Sequence, residues 1–92
     1  MFFQPEGRLP EGSVVLLKES SKKLMIMGFC QTKPGVPEKI YDYCGCLYPE
    51  GYLAPDRIYL FDHDQIERVY FVGYIDEEQY SFQAVLDERP EG

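Results

Sequence analysis

The sequence has no tryptophan, a single histidine and three cysteines, and only three of its nine basic residues fall in its second half. Each shortage excludes something. An odd number of cysteines cannot all pair, which argues against a secreted disulfide scaffold. Cys44 and Cys46 are separated by one residue, so on a strand they point to the same face and are poorly placed to bridge. Reduced thiols in the cytosol fit better. No apolar run approaches the roughly 20 residues of a membrane span. Met1 to Pro5 lacks the basic and long apolar regions of a signal peptide, so a cytoplasmic protein without a membrane partner is expected. The scarcity of late basic residues leaves residues 47–92 with three basic and eleven acidic side chains (−8), against six and five (+1) for residues 1–46, giving −7 in all. An acidic half of that size repels a phosphate backbone, so no nucleic-acid partner is expected. Lys18, Lys22, Lys23, Lys33 and Lys39 form at most a modest basic face, and a solvated polar surface is the simpler account of them.

What is present suits a small domain with its own core. Over 92 residues, 45% are hydrophobic and 15% aromatic, too apolar for disorder by composition. A single domain over residues 1–92 is expected, divided into an N-terminal coil (1–12), a β-rich core (13–75) and a C-terminal helix (76–88). Ser13 to Lys18 and Leu24 to Gln31 are apolar, partly β-branched runs across a polar turn, the pattern of a hairpin. Gly28 inside the second run predicts a bulge or bend. Lys33 to Pro37 reads as a loop, and Ile40 to Leu47 as a third strand with both faces partly apolar. Ile58 to Phe61 and Val69 to Tyr74 are the fourth and fifth strands. Asp62 to Gln65 between them reads as a tight turn or helical turn, since Asp side chains favour caps. Asp76 is a good helix N-cap, with Gln79 at the capping-box position and Glu77 and Glu78 at the positive end of the dipole. Phe82, Val85 and Leu86, with Ile75, form an apolar stripe able to lie on the sheet. Pro90 ends the helix. The expected fold is therefore α+β: about five antiparallel strands in a strongly bent sheet or small barrel, with one C-terminal helix packed on it. A flat, open sheet is the main rival.

The densest stretch is residues 41–66, which holds Tyr41, Tyr43, Tyr48, Tyr52 and Tyr59, two cysteines and the histidine. In Tyr48-Pro49-Glu50-Gly51-Tyr52, proline presets φ for a turn and glycine accepts the positive φ that ends it. No catalytic constellation accompanies it. Cys30, Cys44, Cys46 and His63 are chemically able to hold zinc, but the spacing is C-x-C without a second pair, so no metal or cofactor is expected. Buried cysteines acting as small hydrophobes are the simpler account. His63 between Asp62 and Asp64 has the makings of an oriented base, yet Ser13, Ser20, Ser21 and Ser81 sit in no motif that would make one a nucleophile. Asp62, Asp64 and Glu67 lack the glycine and final glutamate of a calcium loop. Gly28, Gly35, Gly45, Gly51 and Gly73 form no phosphate-binding series. The eight tyrosines divide between core rings and an exposed face for a protein partner, where Tyr is enriched.

Leu9 to Leu17, Lys22 to Gly28, Tyr41-Asp42-Tyr43, Tyr48 to Tyr52, Phe61 to Ile66, and Val72-Gly73-Tyr74 with Asp76-Glu77-Glu78 resemble a small family of unknown function from Gram-positive bacteria. The resemblance covers about residues 9–87, and the Tyr-Pro-Glu-Gly-Tyr block is its most specific part. Members of that family are typically encoded beside LXG-type toxins exported by type VII secretion. The resemblance implies a non-enzymatic accessory chaperone or targeting factor that binds a secreted toxin, and it brings no catalytic residues. An immunity protein that neutralises the toxin, or a structural domain with no toxin partner, are the alternatives. Tyr48, Pro49, Glu50, Tyr52 and Tyr59 are the expected partner contacts. A homodimer through an exposed fourth or fifth strand is also open, since unpaired edges invite pairing.

Overall fold

The computed structural model describes residues 8–33 and 35–87. Five antiparallel strands form one sheet: β1 (Val14–Leu17), β2 (Leu24–Lys33), β3 (Val36–Leu47), β4 (Tyr59–Phe61) and β5 (Ile66–Phe71). One helix follows, α1 (Glu77–Asp87). The strand order is β4-β3-β2-β1-β5, so the two strands nearest in sequence at the end of the sheet lie on opposite edges.

That order forces curvature. Four inter-strand spacings of a flat sheet would separate β4 from β5 by about 19 Å. Phe61 and Ile66 are five Cα steps apart, which reach at most about 17 Å when fully extended. Three of those residues, His63–Gln65, are wound into a 3₁₀ turn that shortens the reach further. The sheet must therefore curl until its edges approach at this corner. Register shifts in the β1–β5 and β2–β3 ladders, one of them between Ile26 and Gly28, add local twist. The expected strong bend is present, but the barrel is not closed: β4 pairs only with β3, and at three residues it is too short to form a second ladder.

The inside of the curl holds the core. Val15, Ile26, Tyr43 and Phe61 are completely buried, joined by Leu9, Leu24, Ile66 and Val69. Each such apolar side chain contributes on the order of 2 kcal/mol through burial. Tyr43 and Phe61 face each other across the β3–β4 ladder with ring centroids 5.4 Å apart. Leu9 plugs the core from the segment preceding β1. That segment is held by a chain of bonds: the Ser13 hydroxyl donates to the Pro10 carbonyl (2.7 Å) and accepts from the Gly73 amide (3.0 Å). At Gly73 a side chain is impossible, since a Cβ would lie about 2 Å from the Glu11 carbonyl oxygen.

Several boundaries differ from those the sequence suggests. The loop expected over residues 33–37 is largely strand: β2 runs to Lys33, β3 begins at Val36, and Gly35 at φ +85° serves the turn. The fifth strand starts at Ile66, directly after the 3₁₀ turn, and ends at Phe71 rather than Tyr74. Asp76 caps α1 as expected, accepting from the Gln79 amide at 3.0 Å. The stripe that α1 turns inward is not Phe82, Val85 and Leu86, however. Gln79, Gln83 and Leu86 are its least exposed positions, while Phe82 and Val85 are exposed. The reason lies in what the helix meets. Beneath it runs the backbone of the N-terminal segment, whose carbonyls need donors, and Gln83 Nε2 donates to the Arg8 carbonyl at 2.8 Å. Residues 1–7 of the expected coil, and the helix end at 88 with Pro90, lie outside the described residues.

Candidate functional site

The turn after β3 ends on the positive-φ glycine that the Pro-Glu-Gly sequence suggests. The Tyr48 amide donates to the Lys23 carbonyl (3.0 Å), the Gly51 amide donates back to Leu47 (2.7 Å), and Gly51 adopts φ +83°. The Tyr48–Pro49 peptide is cis. Glu50 is fixed by Lys22 at 2.8 Å, and hydrogen bonds from that ammonium and from its own backbone amide hold its carboxyl below the ordinary glutamate range. Tyr48, Tyr52 and Leu53 at this turn and Tyr59 on β4 are 42%, 55%, 50% and 41% exposed.

Among the described residues, the expected contacts Tyr48 and Tyr59 line different hollows. Tyr48 lines a hollow of about 430 Å³ with Val14, Met25, Lys23, Tyr70 and Phe71. Tyr59 lines another of about 610 Å³ with Pro55, Ile58, Leu60, Cys44 and Thr32. Pro49, Glu50 and Tyr52 lie on the segment that joins β3 to β4. A third hollow, about 760 Å³, was not anticipated from sequence. Phe71, Tyr74 and Phe82 line it with the carboxylate residues Glu11, Asp76 and Glu78. The available signal was the consecutive Val69-Tyr70-Phe71 run: a strand cannot bury three successive side chains on one face, so a surplus of aromatics had to emerge.

His63 belongs to a network that ties β3, the 3₁₀ turn and the N-terminal segment together. Asp62 and Gln65 form a reciprocal capping box around the turn. The Asp42 amide donates to Asp62 Oδ1 (3.1 Å), the His63 amide donates to Asp42 Oδ2 (2.9 Å), and Lys39 Nζ donates to Asp62 Oδ2 (2.8 Å). That bond to Asp62, and the Asp62 charge, hold the Lys39 ammonium above its ordinary value. His63 Nδ1 lies 2.7 Å from the Tyr43 hydroxyl. Both ends of this network are thus engaged in holding the chain together. Cys30, Cys44 and Cys46 are free thiols; Cys44 and Cys46 are buried, and burial, then the neighbouring Cys46, pushes the Cys44 thiol up. Among the described residues no three His, Cys, Asp or Glu side chains come together in a way that could hold a metal ion. No described helix is long and apolar enough to cross a membrane.

A curled, open antiparallel sheet with one C-terminal helix and an aromatic-rich surface defines a small α+β domain. The family model of a domain of unknown function, DUF4176, matches residues 8–82, and the chain belongs to that family. No curated protein and no solved structure matches it.

Proposed function

We propose that this domain is a cytoplasmic, non-enzymatic protein-binding module, acting as an accessory chaperone or targeting factor for a toxin of the LXG type exported by type VII secretion. The observation that carries the binding reading is the exposed aromatic surface presented by a well-anchored turn. Tyr48 and Tyr52 flank a turn braced by the Gly51–Leu47 bond and the Lys22–Glu50 pair, and Tyr59 is exposed on β4. Tyrosines on a fixed backbone supply contact area at little cost in side-chain entropy, which is why they are enriched at interfaces. The partner's identity rests on the resemblance of the sequence blocks to proteins encoded beside such toxins. Acidity in the second half supports a partner with basic or apolar segments, chiefly by speeding and selecting the encounter.

A tagged chain captured from its native cytosol, beside a Tyr52→Ala variant, tests this reading. An LXG toxin retained by the wild type and lost by the variant supports it and puts the contact on the 48–52 turn. Retention by both keeps the function and moves the contact elsewhere. Capture of no toxin by either refutes it. Acidity also favours an immunity protein, which differs in one respect: it must rescue cells from the toxin when the two are co-expressed, whereas a chaperone need not.

A further inference from the structure

The hollow between the N-terminal segment, the end of β5 and the start of α1 lies apart from the 48–59 segment. Phe71, Tyr74 and Phe82 line it while remaining 60%, 79% and 46% exposed. Glu11, Asp76 and Glu78 line it too, and among the described residues no lysine or arginine does. Asp76 spends one oxygen on capping α1, whereas Glu11 and Glu78 are exposed and have no ion-pair partner among the described residues. The floor is preformed. Gly12 and Gly73 lie in close backbone contact, and the Gly73 amide is tied to the buried Ser13 hydroxyl. Gly12 and Phe71 also line the hollow of Val14, Lys23, Met25, Tyr48 and Tyr70, so the two hollows adjoin at these residues as the halves of a trough. Its far end is marked by Lys23, whose ammonium sits 4.7 Å from the centre of the Tyr70 ring.

We infer that this trough is a docking site for a segment of a partner protein that bears arginine or lysine followed by apolar residues. The inference rests on the reading of the domain as a protein-binding module. The chemistry of the walls selects such an occupant. A guanidinium placed over Tyr74 or Phe82 gains cation–π attraction and is within the field of Glu11 and Glu78. The apolar residues that follow cover Phe71, Tyr70 and Met25, surface that is otherwise left in water. Nucleic acid is repelled by the carboxylates, and a second copy of this chain brings its own net charge of −7. A preformed floor spares the ordering cost that weakens binding by flexible surfaces.

The test uses the full chain and a synthetic amphipathic peptide of arginine, leucine and phenylalanine, compared with the same peptide carrying glutamate for arginine. Amide shift mapping is expected to show the cationic peptide perturbing Gly12, Gly73, Tyr74 and Gln79, with the acidic peptide silent. The double variant Glu11→Gln, Glu78→Gln leaves the Asp76 cap intact and is expected to weaken binding about tenfold without changing the melting temperature. Equal binding of both peptides, no binding of the cationic one, or perturbations confined to residues 49–59 overturns the inference. So does a dimer dissociated by Tyr74→Ala, which would assign the trough to a second copy. Failure here is distinct from failure of the module reading. A toxin retained by the Glu11, Glu78 variant but lost by Tyr52→Ala preserves the module and removes the trough. A toxin captured by no variant refutes the module, and the peptide result still decides the trough.

Discussion

The hydroxyl of Tyr43 sits where three distant parts of the chain meet. It accepts the Leu9 amide proton at 2.9 Å and lies 2.7 Å from His63 Nδ1, a second hydrogen-bond contact. Because Tyr43 and Leu9 are both buried, loss of the hydroxyl strands the Leu9 amide away from water. Tyr43→Phe keeps the ring against Phe61 and deletes only the oxygen. It is expected to lower unfolding free energy by about 1–3 kcal/mol, the cost of leaving a buried amide unmatched. Tyr59→Phe, at an exposed tyrosine, is expected to stay within about 0.5 kcal/mol. Urea midpoints for the two variants check this, and equal midpoints would refute the role given to the hydroxyl. The sequence placed Tyr43 on a strand but left both faces of that strand open as core, and it held no sign of Leu9. Contacts separated by 34 residues leave no trace in local periodicity.

At the scale of elements, what was legible depended on whether the deciding interaction was local. The helical turn over Asp62 to Gln65, the positive φ at Gly51 and the cap at Asp76 are each settled within four residues, and each is where the sequence puts it; the reciprocal capping box that closes the first of them is an addition of the structure. The length of the β2–β3 hairpin and the inward face of α1 depend on partners elsewhere, and both differ from the sequence reading. For α1, the apolar pattern pointed to Phe82 and Val85, but the surface under the helix is partly backbone and selects Gln83. Phe82 makes an edge contact with Phe29, at 5.8 Å between centroids. Stability should follow burial rather than hydrophobicity. Leu86→Ala is expected to cost about 2 kcal/mol and Val85→Ala no more than about 0.5 kcal/mol. Thermal unfolding of the pair measures the difference, and an equal loss would mean that Val85 packs as the periodicity suggests.

For the molecule as a whole, the order β4-β3-β2-β1-β5 and the short link from Phe61 to Ile66 make the curl of the sheet a consequence of chain length. The central β2–β3 ladder is the longest, with strands of 10 and 12 residues, and it carries the completely buried Ile26 and Tyr43. The edges are weaker by construction. β4 has three residues, and α1 is held by buried Leu86, the Phe82–Phe29 contact and one bond from Gln83 to Arg8. Local opening follows such differences, because segments with few buried apolar contacts open at less than the global cost. Amide hydrogen exchange should therefore be slowest at Leu24 to Ile26 and Tyr43 to Cys46. In α1 and β4 it should be faster by at least about two orders of magnitude, corresponding to about 3 kcal/mol less protection. Protection of α1 equal to that of β3 would show that helix and sheet unfold together. Early release of α1 would instead make the trough at its N-terminus the most adaptable surface of the fold, since Gln79 and Phe82 of α1 line it while Gly12 and Gly73 stay anchored through Ser13 and Glu11.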